Sequence, residues 1–121
     1  MSKRILVVED QDDNRRILRD LLTASGYELI EAVDGEQGLA AAQTEHPDLI
    51  LMDIQLPVID GYEATRRIKA DSALQSIPII AITSYALGED EMRARSAGCD
   101  DFVAKPYSPR QLLAKVRQYM P

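Results

Sequence analysis

Apolar residues along this chain cluster in five short runs separated by amphipathic stretches. Residues 4–9 (Arg-Ile-Leu-Val-Val-Glu) form a β-branched, nearly continuous apolar run. Runs of this kind suit strands buried on both faces, as in a parallel sheet. Residues 28–33 (Glu-Leu-Ile-Glu-Ala-Val), 48–53 (Asp-Leu-Ile-Leu-Met-Asp), 77–83 (Ile-Pro-Ile-Ile-Ala-Ile-Thr) and 101–104 (Asp-Phe-Val-Ala) predict four more strands. Between the first two lies a helix with Asp12 and Asp13 as N-caps; Ile17, Leu18, Leu21 and Leu22 share one face, and Gly26 ends it. The turn signal Asp34–Gly35 closes the second strand, an Ala-rich helix covers 36–44, and His46–Pro47 stops that helix. A third helix follows Pro57 and Gly61 and runs to Ala70, and a more polar one covers 89–97 before Gly98. Ser108-Pro-Arg-Gln111 has the form of a capping box with proline at the first helical position. It opens a last helix carrying Leu112, Leu113, Val116 and Met120.

Five strands alternating with five helices predict right-handed βαβ crossovers and an α/β fold: an open, doubly wound parallel sheet with helices on both faces. Ligands of such sheets sit outside the carboxyl ends of the strands, at a topological switch point. The residues at those ends are Glu9 and Asp10 after the first strand, Asp53 after the third, Thr83 after the fourth and Lys105 after the fifth. Four of the five runs thus end in polar or charged residues, which is the strongest functional signal in the pattern.

Composition narrows the classes of function. A chain of 121 residues is one domain's worth, so residues 1–121 are expected to form one unit with no linked DNA-binding, catalytic or other output domain. Twenty acidic against fourteen basic residues give a formal charge of −6, and Arg15–Arg16 and Arg66–Arg67 are isolated basic pairs. Nucleic acid is therefore not an expected partner. The single Cys99 has no internal disulfide partner, Met1-Ser2-Lys3 does not begin a signal peptide, and no apolar stretch approaches the roughly 18 residues of a membrane span. The expectation is a cytoplasmic protein without a membrane partner, acting on or through other proteins.

Glu9, Asp10 and Asp53 would lie close together if the first and third strands are neighbours. Like charges held together raise one another's pKa, and a divalent cation relieves that repulsion. Hard oxygen ligands point to magnesium (Mg2+), which keeps several waters and needs only a few carboxylates. Asp12 and Asp13, by contrast, are read as solvent-facing or capping acids. Lys105, taken alone, is an exposed lysine at a turn. Beside the acids its ammonium could neutralise part of their charge and hold a phosphoryl oxygen, with Pro106 fixing the geometry through a cis bond, although most X–Pro bonds are trans. The Thr83 hydroxyl could donate to the same anion. Together these groups amount to a phosphoryl-transfer site with a carboxylate nucleophile. A Gly-rich phosphate loop, a general base and a substrate-pocket signature are not visible, and His46 is expected to be solvent-exposed and remote. A carboxylate that accepts phosphate without an evident small substrate suggests that the protein is itself the substrate.

Ile5-Leu-Val-Val-Glu-Asp10, Leu51-Met-Asp-Ile-Gln-Leu-Pro57 with Gly61, Ile79-Ile-Ala-Ile-Thr83 and Ala97-Gly-Cys-Asp-Asp-Phe-Val-Ala-Lys-Pro106, in that order, closely resemble the receiver domain of bacterial two-component response regulators. The resemblance covers essentially the whole chain. It implies a flavodoxin-like sheet of strand order 2-1-3-4-5. It makes Asp53 the residue phosphorylated by a histidine kinase or a histidine phosphotransfer protein. It implies magnesium bound directly by Asp10 and Asp53, by Glu9 largely through water, and by the backbone carbonyl of Gln55. Thr83 and Lys105 would contact the phosphoryl group, and Phe102, three residues before Lys105, falls at the aromatic switch position. Phe102 is equally readable as a core aromatic; many relatives have Tyr there, so no hydroxyl-dependent contact is expected. Gln55 and Tyr85 fall at positions that tune phosphate loss in the family, and a bulky Tyr85 would favour a long-lived phosphoform. Within the family, the Asp-Ile-Gln-Leu-Pro and Gly-Cys-Asp pieces resemble both stand-alone cell-cycle regulators and receivers attached to hybrid histidine kinases. The chain's end at Pro121, beside the end of the last helix, favours the stand-alone form. The expected output is altered protein binding, to a downstream target or a hybrid kinase, through the face formed by the fourth helix, fifth strand and fifth helix. No catalysis is expected beyond its own phosphoryl transfer and slow autodephosphorylation.

Two other readings use parts of the same pattern. A small aspartate-nucleophile phosphatase would also place an Asp at a strand end with magnesium, but it resembles Asp-x-Asp, and position 55 is Gln. A flavin carrier of the flavodoxin type would need a phosphate-binding Ser/Thr-rich loop after the first strand. Glu9-Asp-Gln-Asp-Asp13 stands there instead and would repel phosphate.

Overall fold

The computed structural model describes residues 3–84 and 88–120, with 88–90 described by backbone alone. Its elements alternate strictly: β1 (Arg4–Val8), α1 (Asp12–Ala24), β2 (Glu28–Ala32), α2 (Gly35–Glu45), β3 (Leu49–Asp53), α3 (Gly61–Ala70), β4 (Ile79–Thr83), α4 (Gly88–Ala97), β5 (Asp101–Ala104) and α5 (Pro109–Tyr119). All four strand pairings are parallel and the order is β2-β1-β3-β4-β5, as the resemblance implied.

The nearly continuous apolar runs follow from burial on both faces. In β1, Ile5 and Val7 join the core against Leu18 and Leu22 of α1 and Leu112 and Val116 of α5. Leu6 and Val8 face the opposite core, built on Ala42 of α2, Ile68 of α3 and Ala94 of α4. β3 and β4 divide their side chains the same way, and all five residues of each are buried. β2 lies at an edge of the sheet, and Glu28 and Glu31 there are exposed.

Several element ends differ from the sequence expectation for local reasons. Asp12 and Asp13 are the first two residues of α1, not its caps; Gln11 is the N-cap and makes no side-chain capping bond. Gly26 does stand past the helix end, at φ +93°, and its N–H bonds the Thr23 carbonyl. Asp34 caps α2 by accepting from the Gln37 N–H, so Gly35 belongs to the helix, not to a free turn. β4 begins at Ile79, because Pro78 has no N–H to place in the ladder; its carbonyl still accepts from the Ile50 N–H. The Ser108–Gln111 capping box forms with Pro109 in the first turn, as the sequence predicts. On α1, Leu18 and Leu22 are buried but Ile17 is 57% exposed, so the apolar face is narrower than the pattern suggested. His46 is exposed, as expected, in a left-handed conformation at the end of α2. No helix among the described residues is long and apolar enough to cross a membrane.

Candidate functional site

The order β2-β1-β3 reverses direction beside β1, so the carboxyl ends of β1 and β3 lie next to each other at the switch point. Val8 pairs with Met52, which carries Glu9 and Asp10 past the end of β1 beside Asp53, the last residue of β3. Asp53 pairs with Ile82, and Thr83 pairs with Ala104, so Thr83 and Lys105 each stand one residue beyond a partner at the same edge. Parallel register alone therefore gathers residues spread over most of the sequence.

The Asp53 carboxylate is 4% exposed. Its Oδ1 accepts the Gln55 N–H at 3.0 Å and its Oδ2 accepts Lys105 Nζ at 3.0 Å. The close turn after β3 depends on Gly61, where a Cβ would stand 2.3 Å from the Asp53 carbonyl oxygen and 2.7 Å from Ile54 Cα. Asp60 then caps α3 by accepting from the Glu63 N–H.

Glu9 is held from several sides. Its N–H donates to the Ala32 carbonyl, and its own carbonyl accepts Arg15 Nη1 at 2.8 Å. The side-chain Oε1 accepts Asn14 Nδ2 at 2.6 Å and lies 3.8 Å from Lys105 Nζ. Oε2 is buried without a hydrogen-bond partner. Burial and the adjacent Asp53 carboxylate push the Glu9 carboxyl up from 4.5 to about 7, while Asn14 and Lys105 oppose the rise. Asp10 is exposed, and one oxygen from each of Glu9, Asp10 and Asp53 lies within 4.8 Å of the others.

This donor set fits a hard divalent cation. Three carboxylates converge, one of them has a buried oxygen without a hydrogen-bond partner, and Asp10 is exposed, so waters would complete the shell of a bound cation. The cleft has a volume of about 480 Å3; Glu9, Asp53 and Lys105 form its polar end, and Ile17, Pro106 and Tyr107 contribute apolar wall. Burial and the charges of Glu9 and Asp53 push the Tyr107 hydroxyl up to about 12, so it stays neutral. The Lys105–Pro106 bond is cis.

Of the residues expected at the site, Glu9, Asp10, Asp53 and Lys105 are brought together by direct distances, and Thr83 by register, buried at the end of β4. Gln55 has an exposed side chain and reaches Asp53 through its N–H. Phe102 lies further back on β5, paired with Ala81, half-buried and packed against the α2–α3–α4 core. Both readings of Phe102, core aromatic and aromatic switch residue, are compatible with its position. Tyr85 lies outside the described residues. Asn14 and Arg15, which hold Glu9, were not singled out from the sequence; the only signal there was their place in the first turn of the helix that follows the acids. A further contact on the other side of β3 also went unread: the Arg93 guanidinium stacks 4.5 Å from the Tyr62 ring centroid.

A five-stranded parallel sheet of order β2-β1-β3-β4-β5 that gathers acids and a lysine at its switch point has the α/β architecture of a receiver domain, and comparison with known proteins agrees. Residues 5–117 match the family described as the response regulator receiver domain, and the chain belongs to that family. It is 43% identical over 120 residues to the polar-differentiation response regulator DivK of Brucella ovis, covering 99% of this chain and 98% of that one. Among solved structures it is similar to the receiver domain of the sensor histidine kinase PA1611 from Pseudomonas aeruginosa, which was determined with a magnesium ion coordinated in its active-site cleft (37% identity, TM-score 0.92, 99% and 98% coverage). It is also similar to the chemotaxis response regulator CheY4 of Vibrio cholerae (28% identity, TM-score 0.94, 98% and 99% coverage).

Proposed function

We propose that this protein is a single-domain response regulator of a two-component phosphorelay, residues 1–121 forming the receiver and no output domain. It accepts a phosphoryl group on Asp53 from a histidine kinase or a histidine phosphotransfer protein. The observation that carries this reading is the setting of Asp53: a buried carboxylate at a strand end, 3.0 Å from the Lys105 ammonium and grouped with Glu9 and Asp10. An Asp53 oxygen attacks the phosphorus of a phosphohistidine, the P–N bond breaks, and the departing imidazole takes up a proton. Glu9, Asp10, Asp53 and the Gln55 carbonyl would hold Mg2+, which when bound spreads the charge of the transferring phosphoryl oxygens. The Lys105 ammonium and the Thr83 hydroxyl contact the remaining phosphoryl oxygens. Thr83, drawn toward the new anion, vacates space that Phe102 fills by turning inward.

The consequence is a changed surface on the face of α4, β5 and α5, read by a downstream target or a hybrid kinase in the cytoplasm. This is a two-state element biased by a local charge change. The likeness to DivK supports the stand-alone form, and the likeness to the magnesium-bound PA1611 receiver supports the metal. Mass spectrometry after incubation with acetyl phosphate and MgCl2 tests the reading. One phosphoryl group is expected on the wild type and none on Asp53→Asn; incorporation that survives this substitution refutes the assignment.

A further inference from the structure

Of the three acids, Glu9 is the one whose carboxylate accepts from a neutral side chain among the described residues, and that side chain, Asn14, lies outside the family motif pieces. Asn14 sits in the first turn of α1, half-buried. Its Nδ2 donates one hydrogen to Glu9 Oε1 at 2.6 Å and the other to Gln11 Oε1 at 3.2 Å. Both donor positions of the amide nitrogen are thereby used, and the two acceptors fix which way the amide faces, nitrogen toward Glu9. The Lys105 ammonium approaches the same oxygen, at 3.8 Å. Both side-chain donors therefore converge on Oε1, and Oε2 is left buried and unpartnered.

We infer that Asn14 is a positioning residue for the cation site, holding Glu9 by one carboxylate oxygen so that the other is presented to the metal and its waters. The chemistry favours an amide in this role. It supplies a strong N–H donor without a charge, so it orients the carboxylate without repelling the incoming cation, whereas a second lysine would compete with it. Outer partners of metal-binding side chains of this kind characteristically change metal affinity by about 10–100-fold when removed. The backbone of Glu9 is independently fixed by Arg15 Nη1 on its carbonyl and by the Ala32 carbonyl on its N–H. Loss of Asn14 therefore frees the Glu9 side chain without releasing the loop that carries it.

The inference rests on the proposed magnesium site, and calorimetric titration of MgCl2 into purified protein, at fixed pH and ionic strength, separates the two. Asn14→Leu keeps the volume and removes the donor, Asn14→Ala removes it in a residue that suits a helix, and Asn14→Gln keeps an amide donor on a longer stem. Expected are a roughly tenfold weaker Mg2+ affinity for Asn14→Leu and Asn14→Ala, a loss of less than about threefold for Asn14→Gln, and loss of binding in Asp10→Asn. Unfolding midpoints measured in EDTA should differ little among the Asn14 variants. Wild-type affinity retained in both Asn14→Leu and Asn14→Ala, while Asp10→Asn fails to bind, overturns the inference and leaves the magnesium reading standing. Equal weakening in Asn14→Gln and Asn14→Leu also overturns it, because the donor would then not be the cause. A wild-type protein that binds no Mg2+ overturns the underlying reading.

Discussion

Replacing Glu9 by Gln should stabilise the cation-free protein at neutral and alkaline pH, although it removes a residue proposed to bind metal. The Glu9 carboxyl is buried with one oxygen unpartnered and Asp53 alongside, and its pKa is raised from 4.5 to about 7. Below pH 4.5 the carboxyl is protonated in folded and unfolded chains alike and contributes no difference. As pH rises from 4.5 to about 7 the unfolded chain releases the proton while the folded one keeps it, so the folded state is increasingly disfavoured; above 7 the full penalty applies. At about 1.4 kcal/mol for each tenfold change in proton affinity the ceiling is roughly 3 kcal/mol. Solvent at the open mouth of the cleft reduces this to about 1–2 kcal/mol. Gln keeps the acceptor for Asn14, carries no charge, and offers Asp53 an N–H in place of a second carboxylate.

The assay is thermal unfolding followed by circular dichroism in EDTA at several pH values, repeated with 10 mM MgCl2 as an order-of-magnitude saturating level. In EDTA at pH 8 the Glu9→Gln midpoint should exceed the wild-type midpoint by about 3–8 °C. The gap should shrink toward zero near pH 4.5, where the wild-type carboxyl is itself protonated. Magnesium should raise the wild-type midpoint more than the variant's and narrow the gap at pH 8, because only the wild type has the ionised Glu9 for the cation to neutralise. A variant less stable than wild type in EDTA at pH 8, or a gap that does not change with pH, refutes the argument.

Two substitutions in the β3–α3 loop should move stability in opposite directions. Gly61→Ala places a Cβ 2.3 Å from the Asp53 carbonyl oxygen and 3.0 Å from its carbonyl carbon, backbone atoms that cannot swing aside; urea unfolding should show a loss of at least ~2 kcal/mol, and the phosphorylation yield from acetyl phosphate should fall as the β3 end shifts. Val58 is a β-branched residue at φ +73° and 69% exposed, so its side chain gains little by burial to offset backbone strain. Val58→Gly should therefore raise stability by ~1 kcal/mol in the same assay, net of the entropy that glycine adds to the unfolded chain, and an unchanged or lower stability would show that the loop accommodates valine without strain.

How much of this was legible in the chain depended on whether the relevant physics is local. β1, β3 and β4 were visible because each is buried on two faces, which leaves an unbroken apolar run that no surface element would tolerate, and the capping box at Ser108 was visible because it is complete within four residues. Once the strands were placed, parallel register carried Glu9, Asp10, Asp53, Thr83 and Lys105 to one edge, so their convergence was readable as well. The cap of α1 was misjudged by one or two residues because Asp serves equally well as a cap and in a first turn, and only the backbone angles distinguish the two. Asn14 and the outward turn of Ile17 were not readable, because both depend on the rotation of α1 about its axis relative to β1, which the helical period alone does not set. The stacking of Arg93 on Tyr62 likewise requires knowing how α4 lies against α3.

The distribution of burial also says which element is free to respond to a charge placed on Asp53. Lys105 is tethered by its own N–H to the Thr83 carbonyl at 2.6 Å, directly after the parallel pair Thr83–Ala104, so its backbone cannot follow an added phosphoryl group without breaking the β4–β5 ladder. The adjustment must then fall on side chains and on the helix least firmly held. α1 and α5 are anchored by Leu18, Leu22, Leu112 and Val116, all essentially fully buried, and α3 by Ile68 and Tyr62. The buried apolar anchors of α4, among its described residues, are Ala94 and Ala97, while Met92 is 70% exposed. Such anchors cost little to displace, since each alanine contributes a small fraction of the transfer energy of a leucine. Phe102, half-buried on the neighbouring strand and packed against the core that includes Ala94 and Ala97, is large enough for its reorientation to move that helix. The proposed switch draws on that contrast in anchoring: a β4–β5 ladder held by hydrogen bonds, beside a helix whose described buried apolar anchors are two alanines.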